Sequence, residues 1–282
     1  EYYALFMEMG TGKTKVAIDT MAILWEADKL KGVLIIAPKG VYDNWVKGEI
    51  PIHLPKRIPR QICRWIPSKT KKFEEELTDF IVSKEPVLKI FVMNVEAFST
   101  ARGTDAATAF LYQNPSNMVV VDESTTIKNR KAARTKNIMS LQKRSKYRRI
   151  LTGSPITKSP MDLFSQCGFL ADKSLGFNSF YAFQSRYANI QQRTMGHRSF
   201  QQVVGYRRLD ELSEKLDLFS NRVLKIDCLD LPPKVYIRRD VELTPEQEKL
   251  YRQMKKLALA KLESGELATT ASVLTQIMRL QQ

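Results

Sequence analysis

The chain has 282 residues, of which 43% are hydrophobic, so it can form a packed core and is not a largely disordered protein. Its 45 Lys and Arg residues outnumber its 30 Asp and Glu residues, giving a formal net charge of +15. Such an excess favours a polyanionic partner such as nucleic acid, although a basic surface without a partner would have the same composition.

The spacing of the cysteines and the length of the apolar runs argue against zinc-binding, secreted disulfide-rich and membrane proteins. The 3 cysteines lie more than 60 positions apart, which leaves no zinc pattern and no secreted disulfide framework. We therefore expect a reducing, cytoplasmic location. No apolar run approaches the roughly 18 residues of a membrane helix, so no membrane partner is expected. The chain begins at Glu1 and not at Met, and we expect a piece of a longer protein.

The first half of the chain predicts an α/β fold. Spacings of three and four residues among Ile18, Met21, Ala22 and Trp25 indicate an amphipathic helix. Strands that alternate with helices imply a mostly parallel sheet covered by helices on both faces. The apolar runs typical of strands buried on both faces lie at 33–37, 88–93, 118–121 and 149–152.

The chain from residue 160 onwards shows a different pattern. We expect residues 160–230 to be a largely helical insertion, and 234–243 to have β character. Domain 1–243 is then followed by a helical extension, 244–282.

The extension itself should contain two helices. Thr244, Pro245 and Gln247 form a capping box that begins the first helix. This helix should end near Gly265, and another should begin near Thr269.

The strongest motif lies between the apolar stretch Tyr2–Met7 and the first helix. Its glycines let backbone N–H groups approach phosphates, and the helix N-terminus adds a positive dipole. Lys13 would reach the β- and γ-phosphates, and the Thr14 hydroxyl would hold Mg²⁺. Met7 departs from the general pattern, which has glycine there. The candidate ATP-binding residues are Met9, Gly10, Thr11, Gly12, Lys13 and Thr14.

An acidic pair follows the run 119–121. Asp122 would orient Mg²⁺, and Glu123 would polarise the attacking water. With Lys13, these two carboxylates are the predicted catalytic residues.

Residues 151–156 follow the next predicted strand. Alone they would form an ordinary Gly-Ser-Pro turn. Their position at the same edge of the sheet would let Thr152, Gly153 and Ser154 sense the γ-phosphate.

The order of these blocks resembles helicase superfamily 2, and within it the Swi/Snf-type translocases of double-stranded DNA. The family's phosphate loop, DEMGLGKT, is similar to residues 7–14. Its Pro-containing strand end and following Asn-Trp resemble Pro38 and 44–45. Further similar blocks are DEAHRIKN at 122–129, LTGTPLQN at 151–158, LPPK at 231–234 and LT..Q..LY at 243–251.

The resemblance implies a RecA-like first motor lobe that uses ATP and Mg²⁺ to move along duplex DNA. It implies DNA contacts by Lys39, Asn94 and Lys128, and DNA-bound proteins as targets of remodelling. A second lobe with an arginine finger would complete the enzyme, so residues 1–282 alone should hydrolyse ATP slowly.

Some residues depart from the family. Thr125 and Thr126 replace the usual His-Arg of the acidic box. The adenine-reading segment that precedes the phosphate loop in the family is not found. The altered box, without a histone-reading module, suggests a phage or bacterial member.

Two basic segments extend the candidate DNA contacts. Residues 128–149 contain 10 Lys and Arg and no acid, and 55–72 contain 7, again without an acid. We expect the first segment, with Arg130 and Lys131, to contact phosphates, because it follows the acidic box directly. A solvated helix face is the alternative for both segments.

Two other functions stay open. The chain could belong to a single-strand DNA or RNA helicase of the same superfamily, although such helicases usually have a Ser-Ala-Thr third motif. It could also be a non-catalytic DNA-binding module that keeps the fold.

Overall fold

The computed structural model describes residues 1–68, 70–195, 198–230, 232, 235–240 and 242–263. The chain divides into two compact units, 1–230 and 231–282. Among the described residues, no helix is both long and apolar enough to cross a membrane.

A seven-stranded parallel sheet forms the centre of the first unit. Its strand order is β3-β4-β2-β5-β6-β1-β9, and all neighbouring strands run parallel. The central strands β2 and β5 are buried along their whole length, which explains their continuous apolar sequences. The strands are β1 (Tyr2–Met7), β2 (Gly32–Ala37), β3 (Arg60–Arg64), β4 (Leu88–Asn94), β5 (Asn117–Asp122), β6 (Tyr147–Leu151) and β9 (Ser220–Val223).

Helices cover both faces of this sheet, as predicted. Because side chains alternate along a strand, neighbouring residues of β1 enter different cores. Leu5 packs with Ile18 and Met21 on one face, whereas Phe6 packs with residues such as Phe110 on the other. The helices are α1 (Lys13–Glu26), α2 (Tyr42–Asn44), α3 (Ile50–His53), α4 (Lys71–Val82), α5 (Ala101–Gln113), α6 (Ala133–Ser140), α7 (Leu163–Leu170), α8 (Phe180–Tyr187), α9 (Leu209–Asp217), α10 (Lys225–Cys228) and α11 (Pro245–Glu263).

The segment 160–230 differs from its prediction as a largely helical insertion. It contains α7 to α10, but also an antiparallel hairpin of β7 (Ala188–Met195) and β8 (Arg198–Tyr206). It also supplies β9, which pairs with β1 at the edge of the main sheet. The hairpin strands carry few apolar residues among many polar ones, and β9 has only 4 residues, so neither shows the apolar pattern by which buried strands are recognised.

The second unit contains α11. The predicted capping box is present, because Thr244 N donates to Gln247 Oε1 at 3.0 Å and Gln247 N donates to Thr244 Oγ1 at 3.3 Å. The described residues between 235 and 243 have no strand, contrary to the expected β character of 234–243. The predicted lobe boundary after residue 243 lies inside this unit. The expected helix end near Gly265 and the helix from Thr269 lie outside the described residues.

Candidate active site

The carboxyl ends of the parallel strands meet at one edge of the sheet, where α/β folds commonly bind ligands. Asp122 ends β5 and pairs in register with Leu151, the last residue of β6. Leu151 also pairs with Leu5 of β1. The sheet therefore brings together the three predicted motifs, which follow β1, β5 and β6.

The loop between β1 and α1 depends on two glycines. Gly10 and Gly12 have φ angles of 87° and 92°, in the left-handed region that favours glycine. The Thr11 hydroxyl donates to the Glu8 carbonyl at 2.7 Å and closes the turn. Gly12 is the N-cap of α1 and Lys13 its first residue. The first N–H groups of this helix therefore have no capping side chain and can bind an anion.

Met7 does not disturb this loop. It is the last residue of β1 and is buried in the core, so the turn begins only at Glu8. Glu8 is tied to the end of β9: its N–H donates to the Val223 carbonyl at 3.0 Å, and its Oε2 accepts from Lys225 N at 2.7 Å. Gly10 and Gly12 supply the required conformations without a glycine at residue 7.

Asp122 is a nearly buried carboxylate, 4% exposed. Its Oδ2 accepts from Trp45 Nε1 at 2.9 Å, and its Oδ1 accepts from the Glu123 N–H at 3.0 Å. Burial raises the pKa of Asp122, whereas the Trp45 hydrogen bond and the charge of Lys13 act in the opposite direction. The influence of Lys13 links the phosphate loop and the acidic pair electrostatically.

This environment fits a divalent cation. Within the described part of the chain, no basic side chain forms an ion pair with Asp122. Two accepted hydrogen bonds leave lone pairs on the carboxylate, and a hard oxygen ligand of this kind suits Mg²⁺. A bound cation would also offset the cost of the buried charge.

Glu123 has a left-handed backbone, with φ 47°. This conformation is uncommon outside glycine and often occurs at functional sites. Its Oε2 accepts from the buried Thr152 hydroxyl at 3.2 Å, and Thr152 Oγ1 accepts from Ser154 N at 3.2 Å. The third motif therefore contacts the acidic pair directly.

The third motif also lies against the phosphate loop. A Cβ atom on Gly153 would be 3.4 Å from both Glu8 Cα and Met9 N, which is van der Waals contact, so the two backbones lie close together. Arg222 of β9 holds the two segments together, because its Nη1 donates to the Gly153 carbonyl at 2.8 Å and lies 3.4 Å from the Phe6 carbonyl oxygen.

A buried glutamine joins the acidic box to the third motif. Ser124 Oγ donates to Gln166 Oε1 at 2.7 Å, and Gln166 Nε2 donates to the Pro155 carbonyl at 2.8 Å. Ser124 and Gln166 are fully buried. The Thr126 hydroxyl, which stands where the family has a charged side chain, is buried without a hydrogen-bond partner among the described residues.

The predicted DNA contacts lie at or after the carboxyl ends of strands. Lys39, after β2, is exposed, and Asn94 ends β4 and donates to Glu96 Oε2 at 2.9 Å. Lys128 follows the acidic box and donates to the Thr157 hydroxyl. Lys131 is exposed.

Parts of the basic segment 128–149 have structural contacts. The guanidinium of Arg130 lies 4.2 Å from the centroid of the Phe180 ring. Arg148 lies in β6, where its Nη1 donates to the carbonyls of Gln142 and Ser145 at 3.0 and 2.7 Å. The Arg148 guanidinium is therefore used within the lobe, whereas Lys131, Lys136, Lys143, Arg144 and Lys146 of this segment are exposed.

Sequence reasoning missed three residues of this site. Trp45 was named only as part of the Asn-Trp block, and its hydrogen bond to Asp122 was not expected. Gln166 and Arg222 had no motif of their own. The Asn-Trp pair after β2 was the one available signal for Trp45, since a buried indole N–H needs an acceptor.

Comparisons with known proteins identify the family and the fold of this chain. The family model described as "SNF2-related domain" matches residues 4–282. The chain is 28% identical over 280 residues to the DNA annealing helicase and endonuclease ZRANB3 of Mus musculus, covering 96% of this chain and 24% of that protein. It is also 28% identical over 241 residues to the SWI/SNF-related matrix-associated actin-dependent regulator of chromatin subfamily A-like protein 1 of Xenopus tropicalis, covering 85% and 22%.

A solved structure has the same fold. The Sulfolobus solfataricus SWI2/SNF2 ATPase core in complex with dsDNA matches with a TM-score of 0.57 and 22% identity, over 99% of this chain and 53% of that one. The chain thus spans about a quarter of the length of these curated relatives and about half of this solved chain.

Proposed function

The chain belongs to the SNF2-related domain family, and we propose that it is the first RecA-like lobe of an ATPase that moves along duplex DNA. The observation that carries this proposal is the meeting of three motifs at one sheet edge. There, Asp122 at the end of β5 pairs in register with Leu151, and Glu123 accepts a hydrogen bond from Thr152.

ATP would bind with its phosphates at the N-terminus of α1. The backbone N–H groups after Gly12 and the Lys13 ammonium would bind the β- and γ-phosphates. Thr14 and Asp122 would hold Mg²⁺, which neutralises phosphate charge when bound. Glu123 would orient and polarise the attacking water, because it lies next to Asp122 and is held by Thr152.

Hydrogen bonds offer a route from this site towards DNA. Gln166 connects Ser124 of the acidic box to the third motif. On the same helix, Ser165 Oγ contacts the carbonyls of Ile127 and Lys128 at 2.7 and 2.8 Å. A change around the γ-phosphate would thereby reach Lys128, which we propose as a phosphate contact. Thr125 and Thr126 would make this coupling differ from that of relatives with His-Arg.

Duplex DNA is the proposed track. The solved SWI2/SNF2 core was obtained in complex with dsDNA, and the net charge of this chain suits a polyanion. We further propose that a second RecA-like lobe completes the ATP site, and that DNA-bound proteins are displaced or remodelled.

ATPase rates of the full-length protein test this function. Rates are compared without DNA, with single strands and with duplex. We expect the largest stimulation by duplex. Greater stimulation by single strands would favour an unwinding helicase, and the absence of turnover would favour a non-catalytic module.

Replacing Trp45 by Phe should weaken binding of Mg²⁺-ATP by about 10-fold or more. Phe keeps an aromatic ring in this buried position but removes the donor to Asp122, and hydrogen bonds to charged groups contribute about 1.5–3 kcal/mol. Titration with a fluorescent ATP analogue, with Mg²⁺ and with EDTA, measures the effect. The loss should appear only with Mg²⁺. Replacing the buried Trp65, which is remote from Asp122, by Phe is the control. Equal affinities of Trp45→Phe and wild type would contradict this role.

Neutralising two exposed lysines at the carboxyl edge should weaken DNA binding. The variant Lys39→Gln/Lys131→Gln should reduce the slope of log K against log salt by up to about two units, since each phosphate contact contributes about 0.9. The control, Lys29→Gln/Lys84→Gln, removes two exposed lysines that precede β2 and β4 at the opposite edge. If both variants had the same slope, Lys39 and Lys131 would not contact DNA phosphates.

A further inference from the structure

The β7–β8 hairpin forms a sheet of its own. Its strands pair from Ala188 opposite Tyr206 to Met195 opposite Arg198, with an irregularity between Asn189 and Ile190. Its base is anchored, because Ala188 is buried, and Ile190 and Val203 pack against the core. Beyond Ile190, the described side chains of β7 are exposed, as are those of the paired residues 199–202 on β8. A two-stranded sheet alone is marginally stable in water, so this ribbon depends on its anchored base.

An ion pair and a hydrogen bond also hold the base of the hairpin in place. Glu211 of α9 accepts from Arg186 Nη2 at 2.6 Å and from the Tyr187 hydroxyl at 3.0 Å, which joins the two helices that flank the hairpin. The Arg186 hydrogen bond lowers the pKa of Glu211 to about 2. The ribbon therefore projects from a defined base.

The charge of this region favours an anionic partner. Residues 173–209 contain 6 Lys and Arg and no Asp or Glu. In the part of the chain that the structure describes, neither Arg193 nor Arg208 forms an ion pair, and both are exposed. Their charges are thus free for a partner from outside the lobe.

One face of the ribbon carries side chains that suit nucleic acid. Gln191 pairs with Gln202, and Arg193 pairs with Phe200, so these four side chains share a face. Amides and guanidinium groups donate to base edges and phosphates, and an aromatic ring can make apolar contact with a thymine methyl group in the major groove. Phe200 is 47% exposed. The major groove of B-DNA is wide enough for a two-stranded ribbon.

The hairpin begins close to the proposed DNA track. Arg130, in the basic segment after the acidic box, contacts the ring of Phe180 at the start of α8. Tyr187, at the end of this helix, directly precedes β7 and is about 10 Å away along the axis. A duplex bound near Lys128 and Lys131 would therefore lie within reach of the ribbon.

We propose that the β7–β8 hairpin is a second DNA contact, which lies in a groove of the duplex bound by this lobe. This inference rests on the proposed function, since it assumes that duplex DNA is the track. The ribbon would hold the duplex through phosphate and base-edge contacts separate from those of Lys39, Lys128 and Lys131.

The test uses the full-length protein with Arg193→Gln/Arg208→Gln, which neutralises one arginine of β7 and one that follows β8 by two residues, and a labelled 30-base-pair duplex. Fluorescence anisotropy at 50–300 mM salt should show a slope lower by about two units and a Kd raised about 10-fold or more near 100 mM salt. The Lys29→Gln/Lys84→Gln control should leave both unchanged. The Tm and the ATPase rate without DNA should match the wild type, because the side chains of Arg193 and Arg208 are exposed and form no ion pair among the described residues.

A second variant, Phe200→Ser, separates aromatic contacts from charge. It should lower the affinity for duplex while the salt slope stays the same. Unchanged Kd and slope in both variants, with a wild type that binds duplex, would overturn the hairpin contact and leave the proposed function standing. A wild type without measurable duplex binding would overturn both. Loss of association with a protein partner at unchanged DNA affinity would also overturn the hairpin contact.

Discussion

The variant Glu123→Gln should bind Mg²⁺-ATP at least as well as the wild type and hydrolyse it at least about 100-fold more slowly. Glutamine keeps the length of the side chain, and its carbonyl oxygen can still accept from the Thr152 hydroxyl. It removes the negative charge that would polarise water. The charge of Glu123 also raises the pKa of Asp122, so its removal favours ionised Asp122 and cation binding.

Two measurements separate binding from chemistry in this variant. Titration with a fluorescent ATP analogue gives affinity, and single-turnover hydrolysis with duplex gives the rate of the chemical step. Glu85→Gln, an exposed carboxylate just before β4, is the matched control and should behave as wild type. If Glu123→Gln hydrolysed ATP at the wild-type rate, Glu123 would not be the residue that polarises the attacking water.

Lys13→Ala should lower ATP affinity by about 100-fold or more and make turnover undetectable. The ammonium would contact the phosphates, and charge-assisted hydrogen bonds are among the strongest in proteins. Its loss also removes a positive charge that lowers the pKa of Asp122, so the carboxylate becomes harder to ionise. Lys13→Ala should therefore weaken the binding of both the nucleotide and the cation.

Lys15→Ala is a close control for this change. Lys15 lies on the same helix two residues later, but it is exposed and pairs with Asp19. Both variants are titrated with a fluorescent ATP analogue, and their Tm values report folding. Equal affinities of Lys13→Ala and Lys15→Ala would show that the phosphates bind elsewhere.

The buried sheet could be predicted because its strands carry continuous apolar residues. Runs such as 33–37 and 118–121 lie in β2 and β5, which are covered on both faces. The hairpin could not be predicted in this way, since its strands are solvated and packing does not determine their pattern. β9 was missed because its pairing with β1 depends on a neighbour more than 200 residues away in the sequence.

The site was predictable where local chemistry requires particular residues. Gly10 and Gly12 have the backbone conformations that their motif demands, and Asp122 ends its strand as expected. Trp45 and Gln166 act through tertiary hydrogen bonds, 77 and 42 residues from their partners. Such contacts leave no spacing pattern in a single sequence. The catalytic and DNA-binding roles of these residues stay predictions.

Movement along duplex DNA is the central claim, and displacement of a third strand tests it most directly. The full-length protein is added to a duplex that carries a labelled triplex-forming oligonucleotide at one end, with ATP and Mg²⁺. We predict release of the oligonucleotide by the wild type, no release with a non-hydrolysable ATP analogue, and no release by Glu123→Gln. A protein that hydrolyses ATP in the presence of duplex but never releases the oligonucleotide would contradict translocation, as would release that does not require hydrolysis.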